Sequence, residues 1–242
     1  MYEARTYRCW VDEGDLVSYP VTVKETDLLI RSSIDLSAEA LAAVQQCRAA
    51  LEHYIAGHPL FCYGLKPVAV EAGSHPLVRD MALAGSQAGV GPMAAVAGAI
   101  AELVGNELLK VADEVIVENG GDIFIKSRRR RLVGLYAGTS PFTGRIAFEI
   151  QPEQMPLGVC TSSGTVGHSL SLGLADTVVT FSQSTALADA AATAVANRVI
   201  SEDDIPGAIE FAKSIPRLSG VVIVKGEKMG LWGQVKLVSG DE

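Results

Sequence analysis

The chain has 242 residues, of which 48% are hydrophobic and 20% charged, and its 28 acidic side chains outnumber its 20 basic ones to give a net charge of −8. This composition supports a substantial buried core and excludes a disordered protein or a coiled coil. The acidic balance also argues against partners that are recognised through many phosphates, so no nucleic acid is expected. The length predicts one large domain or two closely packed ones.

The charges are unevenly distributed along the chain. From Gln154 to Asn197 the only charged side chains are Asp176 and Asp189, and from Met81 to Ala101 there is none. The second stretch is long enough to span a bilayer. Because its hydrophobicity comes mainly from alanine and it contains several glycines and Pro92, we expect a buried segment and no membrane partner.

The N-terminus and the cysteines both predict a cytoplasmic protein. The first fifteen residues show no basic start followed by an apolar core, which a cleaved secretion signal requires. Cys9, Cys47, Cys62 and Cys160 form no CxxC pair and have no histidine at zinc spacing. We therefore expect reduced thiols.

In chain order, the first third predicts strands and then a helix. Arg5–Val11, Leu16–Lys24 and Asp27–Ser33 alternate apolar and polar residues, which is typical of an antiparallel meander. Ser37 is placed to cap a helix whose apolar residues recur at helical spacing and which ends near Gly57.

The remaining elements favour an α+β fold. A helical region follows Pro76, and after the turn at residues 89–92 an alanine-rich helix is predicted over Ala94–Val111. Strands are predicted at Glu114–Glu118, Ile123–Lys126, Leu132–Tyr136, Arg145–Ile150, Leu174–Phe181, Gly220–Val224 and Val235–Val238, with helices at Ala186–Ile200 and Ile205–Lys213. Because the strands come in runs and do not alternate strictly with helices, α+β is preferred over α/β.

The strongest local motif is the turn Asn119-Gly120-Gly121-Asp122 between two predicted strands. Its glycines permit positive φ and close approach of a ligand, while the flanking Asn and Asp offer hydrogen-bonding groups. Since Asn-Gly is also the commonest short hairpin signal, a plain turn is the alternative.

A second motif lies on the predicted helix that contains Asp189 and Thr193. Residues four apart share a helix face, so this carboxylate and hydroxyl can bind one hard cation. Two oxygens are too few for Mg²⁺, which would need carbonyls, water or a substrate phosphate as well. The alternative is that Asp189, following Ser184 and Thr185, interacts favourably with the first turn of its helix.

A third motif is the hydroxyl-rich segment after Cys160, with His168 shortly downstream. Hydroxyls and exposed amides in a loop suit phosphate or flavin-ring contacts, and an imidazole can act as acid or base. A nucleophilic pair of Cys160 and His168 and a histidine without a catalytic role are the alternatives. The candidate binding residues are Thr161, Ser162, Ser163 and Gly164.

Two further features involve the turn at Gly89, Val90 and Gly91 and the basic run Arg128–Arg131. The turn fits G-x-G-x-x-A, but the residues before it do not predict a strand, so a glycine-lined start of a helix facing a ligand is preferred over a dinucleotide-binding fold. The basic run is interpreted as a solvated hairpin tip, with a phosphate or RNA contact as the alternative.

Taken in order, these motifs resemble the ApbE-like superfamily, whose best-known members are FAD:protein FMN transferases. The resemblance runs from about Gly89 to Asn197. The family's glycine-rich helix start is similar to Gly89 through Met93, and its G-G-D turn is similar to Gly120-Gly121-Asp122. Its T-S-G loop is similar to Thr161 through Gly164, and its A-D-A-L-A-T helix is similar to Ala188 through Thr193.

The resemblance implies an ApbE-like α+β fold with antiparallel or mixed sheets and packed alanine-rich helices. It implies a single domain over residues 1–242, in which 1–75 supply the first strands and helix and 76–242 the ligand-binding core. FAD would lie in a cleft, with Mg²⁺ held by Asp189, Thr193 and a backbone carbonyl near Val90. His168 would be the catalytic proton-transfer group as FMN passes to a Ser or Thr hydroxyl of an acceptor protein and AMP leaves.

The chain also departs from the family pattern. The family's lysine falls at Pro92 or Met93, and the segment of His168 lacks the usual following Asp-Pro. The alternative is therefore a non-catalytic protein that binds a flavin, another nucleotide or a phosphorylated metabolite. A homodimer is compatible with the glycine-rich, largely apolar composition.

Overall fold

A computed structural model describes residues 16–164 and 172–240; the predicted strand Arg5–Val11 lies outside them. The described chain forms an eight-stranded sheet and a three-stranded sheet. One apolar core lies between the large sheet and the helices, and a second lies between the two sheets. The predicted α+β class is confirmed.

The strands and helices have the following bounds. The strands are β1 Val17–Val23, β2 Thr26–Ser32, β3 Val115–Asn119, β4 Asp122–Lys126, β5 Arg131–Gly134, β6 Ile146–Ile150, β7 Leu157–Ser162, β8 Thr177–Ser182, β9 Leu218–Lys225, β10 Lys228–Gly233 and β11 Lys236–Ser239. The α-helices are α1 Ser37–Gly57, α2 Pro59–Tyr63, α3 Pro76–Ala88, α4 Val96–Leu108, α5 Thr185–Ala196 and α6 Ile205–Ser214.

The large sheet has the order β1-β2-β3-β4-β7-β8-β9-β10, and every neighbouring pair is antiparallel. The small sheet has the order β11-β6-β5 and is also antiparallel. The dinucleotide-binding alternative, which requires a parallel sheet, is therefore wrong.

Alternation along the strands determines which side chains reach the helix layer. On β3, Val115 and Val117 belong to the core beneath the helices, whereas Ile116 belongs to the core between the sheets. Asn119 continues the helix-facing set and is paired in register with Asp122 of β4. Both polar side chains therefore lie at the end of the hairpin on the helix side of the sheet.

Several element boundaries differ from the sequence-based expectation. The sequence predicts neither β7 nor β10. Thr161 and Ser162, which were expected in a loop, lie at the end of β7. The helix predicted over Ala94–Val111 is a short 3-10 helix, Pro92–Ala95, followed by α4. Ser37 does not cap α1, because the N-cap residue is Leu36 and the Ser37 N–H is itself bound by Asp35 Oδ1 at 2.9 Å.

The basic run is only partly a solvated tip. Arg128 to Arg130 are exposed, but Arg131 begins β5 and is buried. Its guanidinium donates to Glu114 Oε2 and Ser127 Oγ, each at 2.9 Å. A buried charge without partners is strongly unfavourable. The hydrogen bonds to Glu114 and Ser127 therefore compensate the buried Arg131 guanidinium.

The α4 and α5 helices approach each other closely at Gly98. A Cβ added there would lie 2.5 Å from the Thr185 carbonyl oxygen and 2.8 Å from Asp189 Cβ. Only glycine permits this approach, because the nearest atom belongs to backbone that cannot move aside. The helix contact therefore fixes where Asp189 lies relative to α4.

The uncharged stretch Met81–Ala101 is divided between α3 and α4. No single helix in the described ranges is long and apolar enough to cross a membrane; the segments Pro76–Ala88 and Pro92–Leu108 meet that test only as a pair bent by 105°.

We expect Gly98→Ala to lower the free energy of unfolding by about 2 kcal/mol, because the added methyl group overpacks the α4–α5 contact. In this size of protein that corresponds to a fall in melting temperature of about 4–8 °C. The matched control is Gly207→Ala on α6, where a Cβ would meet nothing within 4 Å. Its melting temperature should be unchanged or slightly higher. Equal effects of the two substitutions in thermal unfolding would contradict this packing argument.

Candidate functional site

Three of the predicted motif regions meet beside the start of α4. Asn119 Nδ2 donates to the Ala97 carbonyl at 3.0 Å, which joins the β3–β4 hairpin to α4. Asp122 Oδ1 accepts the Thr161 N–H at 3.1 Å, which joins the hairpin to β7. Asp189 Oδ2 accepts the Gly98 N–H at 2.8 Å, which joins α5 to α4. The structure therefore brings these separated parts of the sequence together.

The Asn-Gly-Gly-Asp turn is a two-residue hairpin. Asn119 and Asp122 are the last register pair, and Gly120 and Gly121 between them have φ of 67° and 106°. Both values lie in the region that favours glycine. The predicted hairpin is confirmed.

The polar backbone groups of Gly121 already have protein partners. Its N–H donates to Glu118 Oε1 at 2.8 Å, and its carbonyl accepts from Thr161 Oγ1 at 3.2 Å. The Glu118 side chain is deeply buried, with 2% of the residue exposed. A ligand could use the Gly121 N–H only by displacing this carboxylate.

The α5 helix exposes one small polar face. Asp189 and Thr193 are 8% and 9% exposed, whereas its other residues are at most 1% exposed. The two side chains are one turn apart, so they lie on the same face of the helix, as the spacing predicts. The interpretation of Asp189 as a first-turn residue is wrong, because α5 starts at Thr185 and is capped by Ser184 Oγ, which accepts the Leu187 N–H at 3.3 Å.

Asp189 caps the neighbouring helix. The N-cap residue of α4 is Ala95, whose methyl side chain cannot accept a hydrogen bond. The Asp189 carboxylate takes that role from α5 by accepting from Gly98. A carboxylate at a helix N-terminus is favoured by the exposed N–H groups and by the helix dipole.

The reverse contact caps α5. Glu102 Oε2 of α4 accepts the Ala186 N–H at 3.1 Å and the Ser184 hydroxyl at 3.3 Å. Each helix therefore supplies a carboxylate to the N-terminal turn of the other. Sequence reasoning missed Glu102. The available signal was its position as the first charged residue after the uncharged stretch, because a charge in an apolar part of a helix usually has a compensating partner.

The carboxyl groups of Asp122 and Asp189 are both buried and both have raised pKa values. Burial and, to a smaller extent, the charge of Glu118 raise the pKa of Asp122 to about 7, against the opposing effect of the hydrogen bonds from the Thr161 N–H and Cys160. Burial also raises the pKa of Asp189 well above its usual value, with the Asp122 charge as the next contribution. A second negative charge here is therefore unfavourable unless a proton or a cation compensates it.

The neighbouring thiol of Cys160 is not an activated nucleophile. Its Sγ donates to the Thr185 carbonyl at 3.4 Å, and burial, followed by the charges of Asp122 and Asp189, raises its pKa. A nucleophilic cysteine needs a lowered pKa and an accessible sulfur atom. The structure thus favours a structural thiol at this position.

The oxygen donors of the cleft fit a hard cation in kind but not in number. Asp189 and Thr193 supply a carboxylate and a hydroxyl, whereas an octahedral Mg²⁺ needs six oxygens. Across residues 16–164 and 172–240, no three His, Cys, Asp or Glu side chains converge on one point. The residues therefore suit an ion whose remaining ligands are water or phosphate oxygens, and not a fully protein-built metal site.

The Gly89–Gly91 turn follows a helix and leads into the 3-10 helix, which packs on α5. Gly89 ends α3 with φ of 76°, and the Val90 N–H donates to the Gly85 carbonyl at 2.9 Å. A Cβ on Gly91 would lie 1.7 Å from the Gly64 carbonyl oxygen. The predicted glycine-lined start of a helix is present; ligand contacts from Gly89, Val90 or Gly91 stay a prediction.

The hydroxyl-rich segment begins on β7 and then leaves the sheet. The Gly164 N–H donates to the Ala175 carbonyl at 3.0 Å, which places the end of this segment beside the residues before β8. His168 lies outside the described residues, and ligand contacts from Ser162, Ser163 and Gly164 stay predictions.

Asp176 is structural, because its Oδ2 accepts the Gly226 N–H at 2.6 Å.

Comparison with known families gives one match over most of the chain. The family described as AbpE bacteria matches residues 8–215. The chain is 42% identical over 229 residues to a UPF0280 protein of Methanocaldococcus jannaschii, covering 92% of this chain and 93% of that protein. It is 39% identical over 231 residues to a UPF0280 protein of Methanosarcina barkeri, covering 92% and 90%.

Solved structures with the same architecture have low sequence identity. The apo form of the flavinyl transferase ApbE of Pseudomonas stutzeri superposes with a TM-score of 0.57 at 13% identity, covering 90% of this chain and 94% of that one. The flavin transferase ApbE of Vibrio cholerae gives a TM-score of 0.54 at 11% identity, covering 90% and 97%. These similarities confirm the predicted ApbE-like fold.

We expect Asp122→Asn to become more stable relative to the wild-type protein as the pH rises. The difference in their free energies of unfolding should change by roughly 2–3 kcal/mol in favour of the variant between pH 5 and pH 8. The carboxyl has a higher pKa in the folded protein, about 7, than its unperturbed value of 3.8. Wild-type stability therefore falls as the pH rises through this interval, whereas the amide does not titrate. Urea unfolding at several pH values measures the difference.

The control for this experiment is Asp203→Asn, because the Asp203 side chain is 93% exposed. Its stability difference from wild type should stay nearly constant with pH. A pH-independent difference for Asp122→Asn as well would show that Asp122 ionises normally in the folded protein.

Proposed function

Because this chain belongs to the family described as AbpE bacteria, we propose that it binds a flavin nucleotide in the cleft between the β3–β4 hairpin, β7 and α5. We further propose that it is a Mg²⁺-dependent FAD transferase or FAD pyrophosphatase. The fold shared with flavin transferases supports a flavin nucleotide as the ligand. Their sequence identity to this chain is too low to establish that the activity is also shared.

The observation that carries the proposal is the polar face of α5. Asp189 and Thr193 are the residues of this otherwise buried helix that reach solvent, and they do so where the hairpin and β7 converge. Capping of α4 requires only the Asp189 carboxylate, whereas Thr193 adds a hydroxyl to the same face of the helix. The polar face therefore supports a ligand that needs oxygen donors.

Mg²⁺ would offset the negative charge of the FAD diphosphate. Asp189 and Thr193 would hold it, with the Val90 carbonyl as the proposed backbone ligand. Asp122 can donate or accept a hydrogen bond near neutral pH, since its pKa is about 7. The remaining ligand contacts would come from Asn119, the hairpin glycines and the hydroxyls at the end of β7.

The proposed reaction moves the FMN phosphoryl group. The bond between the AMP phosphate oxygen and the FMN phosphorus breaks, and a bond forms from that phosphorus to a Ser or Thr hydroxyl of an acceptor protein or to water. The hydroxyl proton passes to His168, the proposed catalytic residue, and AMP leaves.

A second candidate is a non-catalytic binder of a flavin, another nucleotide or a phosphorylated metabolite. It is favoured by the hydrogen bonds that Asp189 and the Gly121 N–H already make within the protein. In addition, Pro92 and Met93 cannot supply the cation of the family's lysine. FAD bound tightly but recovered intact after long incubation with Mg²⁺ would select this candidate.

We expect Asp189→Asn to separate the helix-capping role from the metal-binding role. The Asn carbonyl oxygen can still accept the Gly98 N–H, so the melting temperature should be kept or raised, whereas Mg²⁺-dependent release of AMP from FAD should fall by about a hundredfold or more. Asp189→Ala removes both functions and should also lower the free energy of unfolding by about 1–2 kcal/mol.

AMP release is measured chromatographically with Mg²⁺ and with a chelator. Asp203→Asn, an exposed substitution of the same type, should keep both stability and turnover. Full turnover in Asp189→Asn would show that Asp189 is only a helix cap.

A further inference from the structure

One edge of the large sheet is blocked by a proline and the other is open. At the first edge, β1 carries Pro20 in the middle of the strand, which interrupts the hydrogen bonds that a further strand would need. At the second edge, β10 contains no proline. Within residues 16–164 and 172–240, no strand pairs with the outer side of β10.

The turn before β10 determines which of its backbone groups point outward. A two-residue loop joins β9 to β10, and Lys225 pairs with Lys228 across it. Gly226 in this loop has φ of 61°, as a tight hairpin requires. The pair that closes such a loop exchanges hydrogen bonds, and hydrogen-bonded pairs then alternate along the ladder. Starting from Lys228, every second residue of β10 therefore bonds to β9.

The residues between them, Met229 and Leu231, direct their N–H and C=O groups to the outer side. In the described ranges, no backbone hydrogen bond reaches these groups. Met229 packs against the core between the two sheets, and alternation places Leu231, which is 45% exposed, on the same face. An added strand would thus find free hydrogen-bonding groups and an exposed apolar side chain.

A groove of about 650 Å³ lies on the opposite face, between α6 and β10. Its floor is apolar, because a Cβ added to Gly230 would lie 2.8 Å from Ile209 Cδ1 and closer still to Ile205. The lining also includes one lysine and three carboxylate side chains: Lys228, Glu202, Asp203 and Glu210.

The charge of this groove favours a basic occupant. Lys228 Nζ lies 3.2 Å from Glu202 Oε2 and 3.6 Å from Asp203 Oδ1, so the lysine is already compensated. Glu210 pairs with Lys213, which does not line the groove. The lining therefore has a net negative charge, and it attracts basic side chains most strongly at low ionic strength.

A second copy of this chain does not fit the same charges. Two identical strands paired antiparallel are related by a two-fold axis perpendicular to the sheet, so the same face of both copies lies on one side. The two α6 helices would then lie side by side, and the carboxylates of both grooves would face each other. Such a juxtaposition of like charges opposes pairing.

We infer that β10 binds an extended segment of another protein, which adds a strand to the large sheet and alternates basic and apolar side chains. The free backbone groups of Met229 and Leu231 pair with the segment, and its apolar side chains lie beside Leu231. Its basic side chains pack their stems on the apolar floor of the groove and reach the carboxylates of α6. The site is three strands from β7, roughly 15 Å across the sheet, and is independent of the proposed flavin cleft.

The probe is a fluorescently labelled eight-residue peptide in which valine and lysine alternate, titrated with the full-length protein at low salt. One control peptide has the same composition in the order Val-Val-Lys-Lys, repeated, so that neither face of the strand is uniform. The other alternates valine and glutamate. We expect saturable binding of the alternating valine-lysine peptide, with an affinity about tenfold or more above either control. Equal affinities of the three peptides, or no saturable binding of the first, would overturn the inference.

Glu210→Lys tests the groove charge and should weaken binding of the alternating peptide by about fivefold to tenfold. Its matched control is Glu107→Lys, because Glu107 pairs with Lys110 on α4 as Glu210 pairs with Lys213 on α6, each at 2.6 Å. The control should keep the wild-type affinity. An equal loss in both variants, or no loss in Glu210→Lys, would show that the peptide does not occupy this groove.

Hydrogen exchange in the wild-type protein, followed by NMR, locates the docked strand without a substitution. We expect the Met229 and Leu231 amides to exchange rapidly in the free protein and about tenfold or more slowly with the alternating peptide bound. The Gly230 and Trp232 amides, which bond to β9, should be protected in both states. Unchanged exchange of Met229 and Leu231 would overturn the inference. Protection that rises with protein concentration without peptide would identify a second copy as the occupant and would also overturn it.

Discussion

The structure depends on the reciprocal capping of α4 and α5 by each other's carboxylates. Asp189 accepts the Gly98 N–H at 2.8 Å, and Glu102 accepts the Ala186 N–H at 3.1 Å. Asp189 is buried and Glu102 is partly buried, and carboxylates in an apolar helix pair are unfavourable unless N–H groups and helix dipoles compensate them. The glycine at position 98 permits the contact, because any side chain there would meet the backbone of α5. This arrangement fixes the position of the Asp189 carboxylate beside the start of α4.

The large sheet brings the second carboxylate to the same place. Side-chain alternation and the two-residue hairpin turn Asn119 and Asp122 toward the helix layer, where Asn119 is tied to α4 and Asp122 to β7. Burial raises the pKa of both carboxyl groups, and the charge of Asp122 raises the pKa of Asp189 as well. Such a cleft disfavours free anions, so an anionic nucleotide would need a cation as well as hydrogen-bond donors of its own.

The features predicted correctly from the sequence are those that depend on local geometry. The Asn-Gly-Gly-Asp hairpin requires positive φ at two neighbouring residues, and the shared face of Asp189 and Thr193 follows from helical spacing alone. The features that sequence reasoning missed depend on distant partners. The hydroxyl-rich end of β7 forms a strand because β8 pairs with Thr161 and Ser162, and hydroxyl residues alone do not reveal such pairing.

Burial of charged groups was the least predictable property. Arg131 is indistinguishable in sequence from the exposed arginines before it, and its contacts with Glu114 and Ser127 show why it is buried. The Glu118 contact with Gly121 likewise requires a side chain to fold back over its own turn. The role of His168, which lies outside the described residues, stays a prediction.

The most direct measurement is a crystal structure of the protein soaked with FAD and Mn²⁺, with anomalous diffraction used to locate the metal ion. We expect an anomalous peak about 2.1 Å from oxygens of Asp189 and Thr193, with a phosphate oxygen of the nucleotide in the same coordination shell. A flavin nucleotide bound elsewhere, or a cleft in which Asp189 keeps only its bond to Gly98 and no metal peak is present, would contradict it.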